Sequence, residues 1–402
     1  MRKFGLPLLL FALCAGTAYQ LAVHNGFLNP YPVVCELVAE KIFLKNSEIG
    51  PWKTTCLRRS SLVKADSPKQ LIFKDINNVL GLLNVSHLEL YDSALVKTIW
   101  HGESKETGIE SEFVDGELVV FKTHPQSPAS EAGIRAGDIV VSINNEQPNP
   151  WEAQASSGTY LVKRSSGLVS IDLETREIVR DEKPSTSKIN AQTTLIKIPS
   201  FRSQFFEYGD IQSWSQTLLS SKQMIVDLRG NAGGNFVAGL RFLSLFLCEK
   251  EEVGRLLRPR AVNTQSAALP DDLRDESQLA VLENNGEVLL RTFDKKACYK
   301  GQVRVLVDGK TASVAEMVAQ ALKEFRQALV MGTPTRGQLL VGVWYPLEEM
   351  GPGVQISIPE AVYLSRQKHK IEGQGVELDK LLYYDLGEMQ AGVDSWVQSA
   401  LD

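Results

Sequence analysis

Residues 305–325, VLVDGKTASVAEMVAQALKEF, constrain the fold more than any other stretch. Residues 305–308 read as a buried strand, and Asp308-Gly309-Lys310 makes a turn. Val314, Met317, Val318, Ala321 and Leu322 then follow a 3.6-residue period, the mark of a helix with one apolar face. Ser313 falls at the junction. There a hydroxyl can face open space and the free N–H groups of a first helical turn can meet an anion. Ser is also a common N-cap, and this fragment alone leaves the cap and the nucleophile both open.

The chain is 402 residues long, enough for two or three domains. Its 43 basic and 48 acidic residues are nearly balanced and form no long basic run, which argues against a nucleic-acid partner. At the start, Arg2 and Lys3 precede the uncharged run FGLPLLLFALCAG, and Gly16-Thr17-Ala18 is an acceptable cleavage site. Residues 1–23 are therefore expected to be a signal peptide. The uncharged run reaches Val23, so residues 4–23 could instead stay as a membrane anchor. Either way the chain is expected to be exported. Beyond Cys14, the cysteines Cys35, Cys56, Cys248 and Cys298 show no zinc-ligand spacing. Export permits disulfides, and pairing within segments gives Cys35–Cys56 and Cys248–Cys298; small buried thiols are the alternative.

Residues 24–104 read as mainly helical, with amphipathic stretches at 32–42 and 69–83. Residues 105–178 change to short strands and turns, including an Asp115-Gly116 hairpin. The run from Ser127-Pro128-Ala129 through Gly133-Ile134-Arg135-Ala136-Gly137-Asp138 to Ile143-Asn144 resembles a PDZ domain of exported proteases. Such a domain adds an extended peptide to a sheet edge and takes its carboxy terminus in a loop of N–H groups. Thr107, Gly108, Ile109 and Glu110 are the expected loop. Residues 179–402 read as α/β, with helices expected at 205–219 and 236–247, a charged, irregular stretch over 249–295 and a surface excursion around 259–275.

DLRGNAGGN, VLVDGKTASVAE, RQALVMGTPTRGQ and IEGQGVELD occur in that order after the PDZ-like segment. Together they resemble the carboxy-terminal processing, or tail-specific, serine peptidases over roughly residues 70–380. The resemblance implies an α/β peptidase core of crotonase-like ββα units, with a helical N-terminal region and an inserted, mostly β PDZ domain. It makes Ser313 the nucleophile and Glu316 the acidic residue three positions on. The oxyanion hole would come from the N–H of Gly233 or Gly234 together with that of Val314. No metal or organic cofactor is implied.

One position departs. The Ser-Lys branch of the family has its lysine 25 residues after the serine, where this chain has Gln338. An amide cannot take a proton from a hydroxyl at neutral pH, and Arg336 nearby stays protonated. LLNVSHLELYD, however, resembles the LGxSH segment of the tricorn branch, which uses a Ser-His-Ser-Glu tetrad. That resemblance makes His87 the general base, Ser86 its supporting hydroxyl, and Glu372 the acidic member; Leu378 stands where a proline is usual. Neutral imidazole can accept the serine proton and return it to a leaving amine. His369, in the charged run Lys368-His369-Lys370, reads as solvated.

The expected function is an exported serine endopeptidase acting on proteins or peptides with accessible carboxy termini, in a bacterial periplasm or cell envelope, secreted or anchored. The alternative is a catalytically inactive, PDZ-bearing pseudopeptidase that binds peptides or scaffolds a complex. The sequence does not fix the oligomeric state.

Overall fold

In the computed structural model, residues 29–63, 67–164, 166–294 and 298–402 are described. The expected export segment and Cys14 lie outside them. The chain forms two bodies. One contains the described residues up to 96, with 257–262 and 340–362; the other contains 97–256, 263–339 and 363–402.

The first body is built on helices Tyr31–Lys41, Asn46–Arg59 and Lys69–Gly81. Tyr31, Val34, Cys35 and Val38 recur at helical spacing and are buried against Ile49, Trp52, Cys56, Ile76, Val79 and Leu80. The Cys35–Cys56 disulfide ties the first helix to the second. Leu347, Met350, Ile356 and Ile358 complete the same core. They come from an antiparallel hairpin whose strands are Leu340–Pro346 and Gln355–Ser365. A short strand, Glu89–Tyr91, pairs antiparallel to the other side of Gln355–Ser365. The Asn77 side chain clamps that strand to the third helix, donating to Leu90 O at 3.0 Å and accepting from Leu90 N at 2.8 Å.

In the second body a five-stranded antiparallel sheet runs from Ile109–Val114 to Gly167–Leu173, with helices Pro128–Glu131 and Pro150–Ala155. This is the expected PDZ-like segment. Its strand Ile109–Val114 is a sheet edge. The core sheet carries parallel strands Thr193–Lys197, Gln223–Asp227, Gln302–Val307, Leu329–Gly332 and Lys380–Leu381, with Ser185–Lys188 antiparallel at one edge. Cys248 and Cys298 form the second disulfide. Among the described residues no helix is long and apolar enough to cross a membrane.

Three expectations need correction. The helix expected from 205 begins at Tyr208, after a separate 3₁₀ turn at Ser203–Phe205. The helix expected to reach 247 ends at Leu243. Most of all, the stretch 249–295 is not irregular: it contains strands Glu252–Leu257 and Glu287–Arg291 and helix Asp275–Asn284. Val253, Leu256, Val288 and Leu290 are buried, and Arg255 pairs with Glu252 and Glu287. Gly254 interrupts the alternation because a Cβ there would come within 2.5 Å of the Tyr363 ring.

Candidate active site

Three loops leave the carboxyl ends of adjacent parallel strands and lock together, the usual place for a site in an open α/β sheet. Gly230 N donates to both Asp308 carboxylate oxygens at 3.0 Å. Thr311 Oγ1 donates to Leu228 O at 2.9 Å, Ala312 N to Asn231 O at 2.9 Å, and Arg336 N to Thr311 O at 2.9 Å. The serine stands at the centre of this lattice, at the head of helix Val314–Arg326.

Ser313 has φ +57° and ψ −126°. A left-handed φ in a residue with a Cβ costs on the order of 1–3 kcal/mol and persists only where surrounding contacts enforce it. Here the contacts are explicit. Ser313 N donates to Gln338 O and to Glu316 Oε2, each at 3.0 Å. Glu316 is fully buried and accepts three more hydrogen bonds. Thr335 Oγ1 donates to its Oε1 at 2.6 Å, Gly337 N to Oε1 at 2.8 Å, and Gln338 N to Oε2 at 3.0 Å. Burial pushes the Glu316 carboxyl above its ordinary value, against the opposing pull of those donors. The carboxylate thus staples the turn 335–338 to the amide of the serine. Gln338 takes part through its backbone.

The glycine-rich loop approaches Ser313 closely. A Cβ on Gly233 would lie 2.7 Å from Ser313 Cβ and 3.0 Å from Val314 N, so only glycine fits. The Gly233 amide, however, already donates to Asn231 Oδ1 at 2.8 Å. Of the two candidate glycines, Gly234 is the one whose N–H has no such partner among the described residues. Gly234 has φ +142° and is pressed against Phe201, where a Cβ would come 2.5 Å from the carbonyl oxygen.

Glu372 Oε2 accepts from Leu339 N at 3.0 Å, and Gly373 N donates to Gly337 O at 2.8 Å, so the segment carrying Glu372 is laced to the turn that Glu316 holds. His369 is not solvated as expected. It is half-buried, its Nε2 lies 2.8 Å from Gly375 O, and it braces this loop. Ser86 and His87 belong to the first body, on the connection between helix Lys69–Gly81 and strand Glu89–Tyr91. Ser86 Oγ lies 2.8 Å from His87 Nδ1, and His87 has a left-handed φ of +59°.

In the PDZ-like sheet the expected loop is partly committed to its own domain. Ile109 and Glu110 open the edge strand rather than precede it. Thr107 N donates to Gln154 O at 2.8 Å, and Ile109 N donates to Thr107 Oγ1 at 3.2 Å. The Thr107 and Ile109 amides are thus spent within the domain. Gly108 has φ +84°, and a Cβ on it would collide with Ser127 at 2.2 Å. Glu110 Oε1 lies 2.9 Å from His124 Nε2 and 3.4 Å from Lys122 Nζ. Burial alone would raise this carboxyl, but His124 and Lys122 hold it well below the usual range. Among the described residues no group of three or more His, Cys, Asp or Glu is placed to hold a metal ion.

An interlocked α/β core with a strained serine at a helix head, joined to a PDZ-like sheet, defines the class of PDZ-bearing serine peptidase folds. Residues 192–381 match peptidase family S41, and residues 122–153 match the PDZ domain. The chain is 25% identical over 355 residues to a carboxy-terminal-processing protease of Bartonella bacilliformis, covering 84% of this chain and 75% of that one. It is 26% identical over 300 residues to carboxyl-terminal-processing peptidase 3, chloroplastic, of Arabidopsis thaliana, covering 67% and 51%. It thus spans three quarters of the first relative and about half of the second. Among solved structures, the photosystem II D1 C-terminal processing protease matches with TM-score 0.57 at 17% identity, over 88% of this chain and 92% of that one. Mature CPAF matches with TM-score 0.59 at 13% identity, over 92% and 95%. Residues 192–381 thus form a peptidase family S41 region and residues 122–153 lie in a PDZ domain, in a chain whose relatives are named carboxy-terminal-processing proteases.

Proposed function

We propose that this chain is an exported serine endopeptidase that cuts protein or peptide substrates near their carboxy termini. Ser313 Oγ attacks the scissile carbonyl carbon while His87 takes its proton, and Gly234 N and Val314 N receive the oxyanion. The C–N bond then breaks as His87 returns the proton to the amine. Water, deprotonated by the same imidazole, hydrolyses the acyl-enzyme. Ser86 and Glu372 form the supporting chain that stabilises the imidazolium. The PDZ edge strand Ile109–Val114 takes the substrate's tail. The observation that carries this reading is the strained Ser313, its amide held by Glu316 and the Gln338 backbone in a turn that offers no lysine. Export is supported by the charged and apolar start of the sequence and by the two disulfides, which persist in oxidising compartments. Periplasm or cell envelope is the proposed location.

The test is labelling of the purified protein with a fluorophosphonate, read by mass spectrometry. Wild type is expected to carry the adduct on Ser313, with Ser313→Ala and His87→Ala both unlabelled. Labelling that survives His87→Ala removes the histidine base. The amide at Gln338 favours one second reading, a peptide-binding protein without turnover. It predicts no labelling while peptides with free carboxy termini still bind.

A further inference from the structure

The turn that carries His87 rests on the hairpin of the first body, and one polar group there has no function so far. Strand Leu340–Pro346 follows Gln355–Ser365 in register until a bulge between Val341 and Gly342, where the partner changes from Ala361 to Pro359. Bulges re-aim a strand locally and concentrate beside active sites. At Gly342 the strand has no side chain, and the space is already taken. A Cβ there would lie 2.4 Å from Ser357 Oγ, 3.1 Å from His87 Cβ and 3.6 Å from His87 Cδ2. His87 and Ser357 therefore both border the position that a side chain at Gly342 would need.

Ser357 is 1% exposed, and its hydroxyl has no hydrogen-bond partner among the described residues. It sits in the middle of the three-stranded arrangement, opposite Glu89 on one side and Trp344 on the other. A buried hydroxyl without a partner costs on the order of 1–3 kcal/mol, and such groups in folded proteins call for an explanation. Backbone satisfaction does not supply one, because the strand's own ladder is intact on both sides. The imidazole next to it does. Ser86 addresses Nδ1, while Ser357 Oγ and the ring's Cδ2, the carbon that adjoins Nε2, both border the position a Gly342 side chain would take. A hydroxyl dipole in a low-dielectric interior interacts weakly with a neutral ring and more strongly with a cation.

We infer that Ser357 is a positioning residue for His87: across Gly342 its hydroxyl orients the imidazole and stabilises the imidazolium formed when the ring takes a proton. Gly342 is the other half of the device, since any side chain there would push the ring off the strand. The inference rests on the histidine-base reading, and it adds no atom to the chemistry.

The test uses the full chain with histidines labelled at Cε1. Of the five histidines, the His87 resonance is identified by its loss in His87→Gln. Ser357→Ala is expected to move the His87 titration midpoint in the acid direction. It should also slow fluorophosphonate labelling of Ser313 by about fivefold on the alkaline plateau, with the pH profile shifted the same way. Ser357→Thr, which keeps the hydroxyl, restores both. A midpoint unmoved in Ser357→Ala overturns the inference even if stability or labelling falls, since that pattern belongs to a merely structural residue. If His87→Ala still labels, the histidine-base reading fails by itself, while the midpoint still decides whether Ser357 acts on the ring.

Discussion

The surroundings of Ser313 and those of His87 solve the same problem in opposite ways. Both residues hold a left-handed φ, and both follow or precede a helix end. Around Ser313 one buried carboxylate takes four donors and fixes the serine amide and the turn 335–338 together. Around His87 the support includes the Ser86 hydroxyl, a strand with a bulge, a bare glycine and a hydroxyl that has no hydrogen-bond partner among the described residues. A group that must stay fixed while a bond forms on it gains from saturation. A ring that must change charge gains from a nearby dipole that is not already committed.

The sharpest way to break this comparison is Glu316→Ala. It strips the acceptor from three buried amides and a hydroxyl at once, and no water-sized replacement restores four bonds. Stability is expected to fall by about 3–5 kcal/mol, with loss of labelling at Ser313. Urea denaturation followed by fluorescence measures it. A loss under about 1 kcal/mol would mean that the loops 228–235 and 308–313 hold the turn without the carboxylate.

Next in size is the first body's own support. Replacing Cys35 and Cys56 by Ala removes a cross-link spanning 21 residues, worth about 3 kcal/mol in the chain-entropy view. If the two regions are separately stabilised, hydrogen exchange should quicken in helices Tyr31–Lys41 and Asn46–Arg59 and stay unchanged in helix Val314–Arg326.

The pH dependence is a smaller effect with a definite sign. Burial raises the Glu316 carboxyl, so the folded chain holds this proton more tightly than the unfolded chain does. The stability it contributes is present in full below the ordinary carboxylate range and is lost as pH rises through the folded value. Glu316→Gln has no proton to lose. The stability of wild type relative to that variant should therefore fall as pH climbs from about 4 upward. A difference constant with pH would show that the four donors cancel the burial.

How these features read in the sequence follows from how local they are. The serine's setting was legible because strand, turn and helix lie within residues 305–325, and a helix period is visible in one pass. The PDZ strands were legible through their turns. The strands at Glu252–Leu257 and Glu287–Arg291 were not, because Arg255, which pairs with Glu252 on its own strand and with Glu287 on the other, reads in isolation as surface charge. The choice between the Gly233 and Gly234 amides was not legible either: Asn231, which takes the Gly233 N–H, lies two residues away in the same turn, and a glycine-rich string does not say which N–H is spent. Gly342 and Ser357 could not be found at all. A glycine in VGVW and a serine in QISIPEA are unremarkable until the fold lays one strand beside the other and seats the histidine on both.

The smallest expected effect falls on the residue that looks most damaging in the sequence. Gln338 occupies the position of the missing lysine, yet its contribution is made by main-chain atoms: its carbonyl accepts from Ser313 N and its N–H donates to Glu316. Gln338→Ala keeps both and should change the labelling rate of Ser313 by less than about twofold, with stability within about 0.5 kcal/mol of wild type. Gln338→Pro, which removes the N–H, should behave like a mild form of Glu316→Ala. The pair separates two ideas of the site. If Ala is silent and Pro is severe, the turn serves as a backbone clamp whatever side chain it carries, and the base must come from elsewhere in the chain. If Ala alone abolishes labelling, the amide side chain handles the serine directly, and the division of labour between the two regions is wrong.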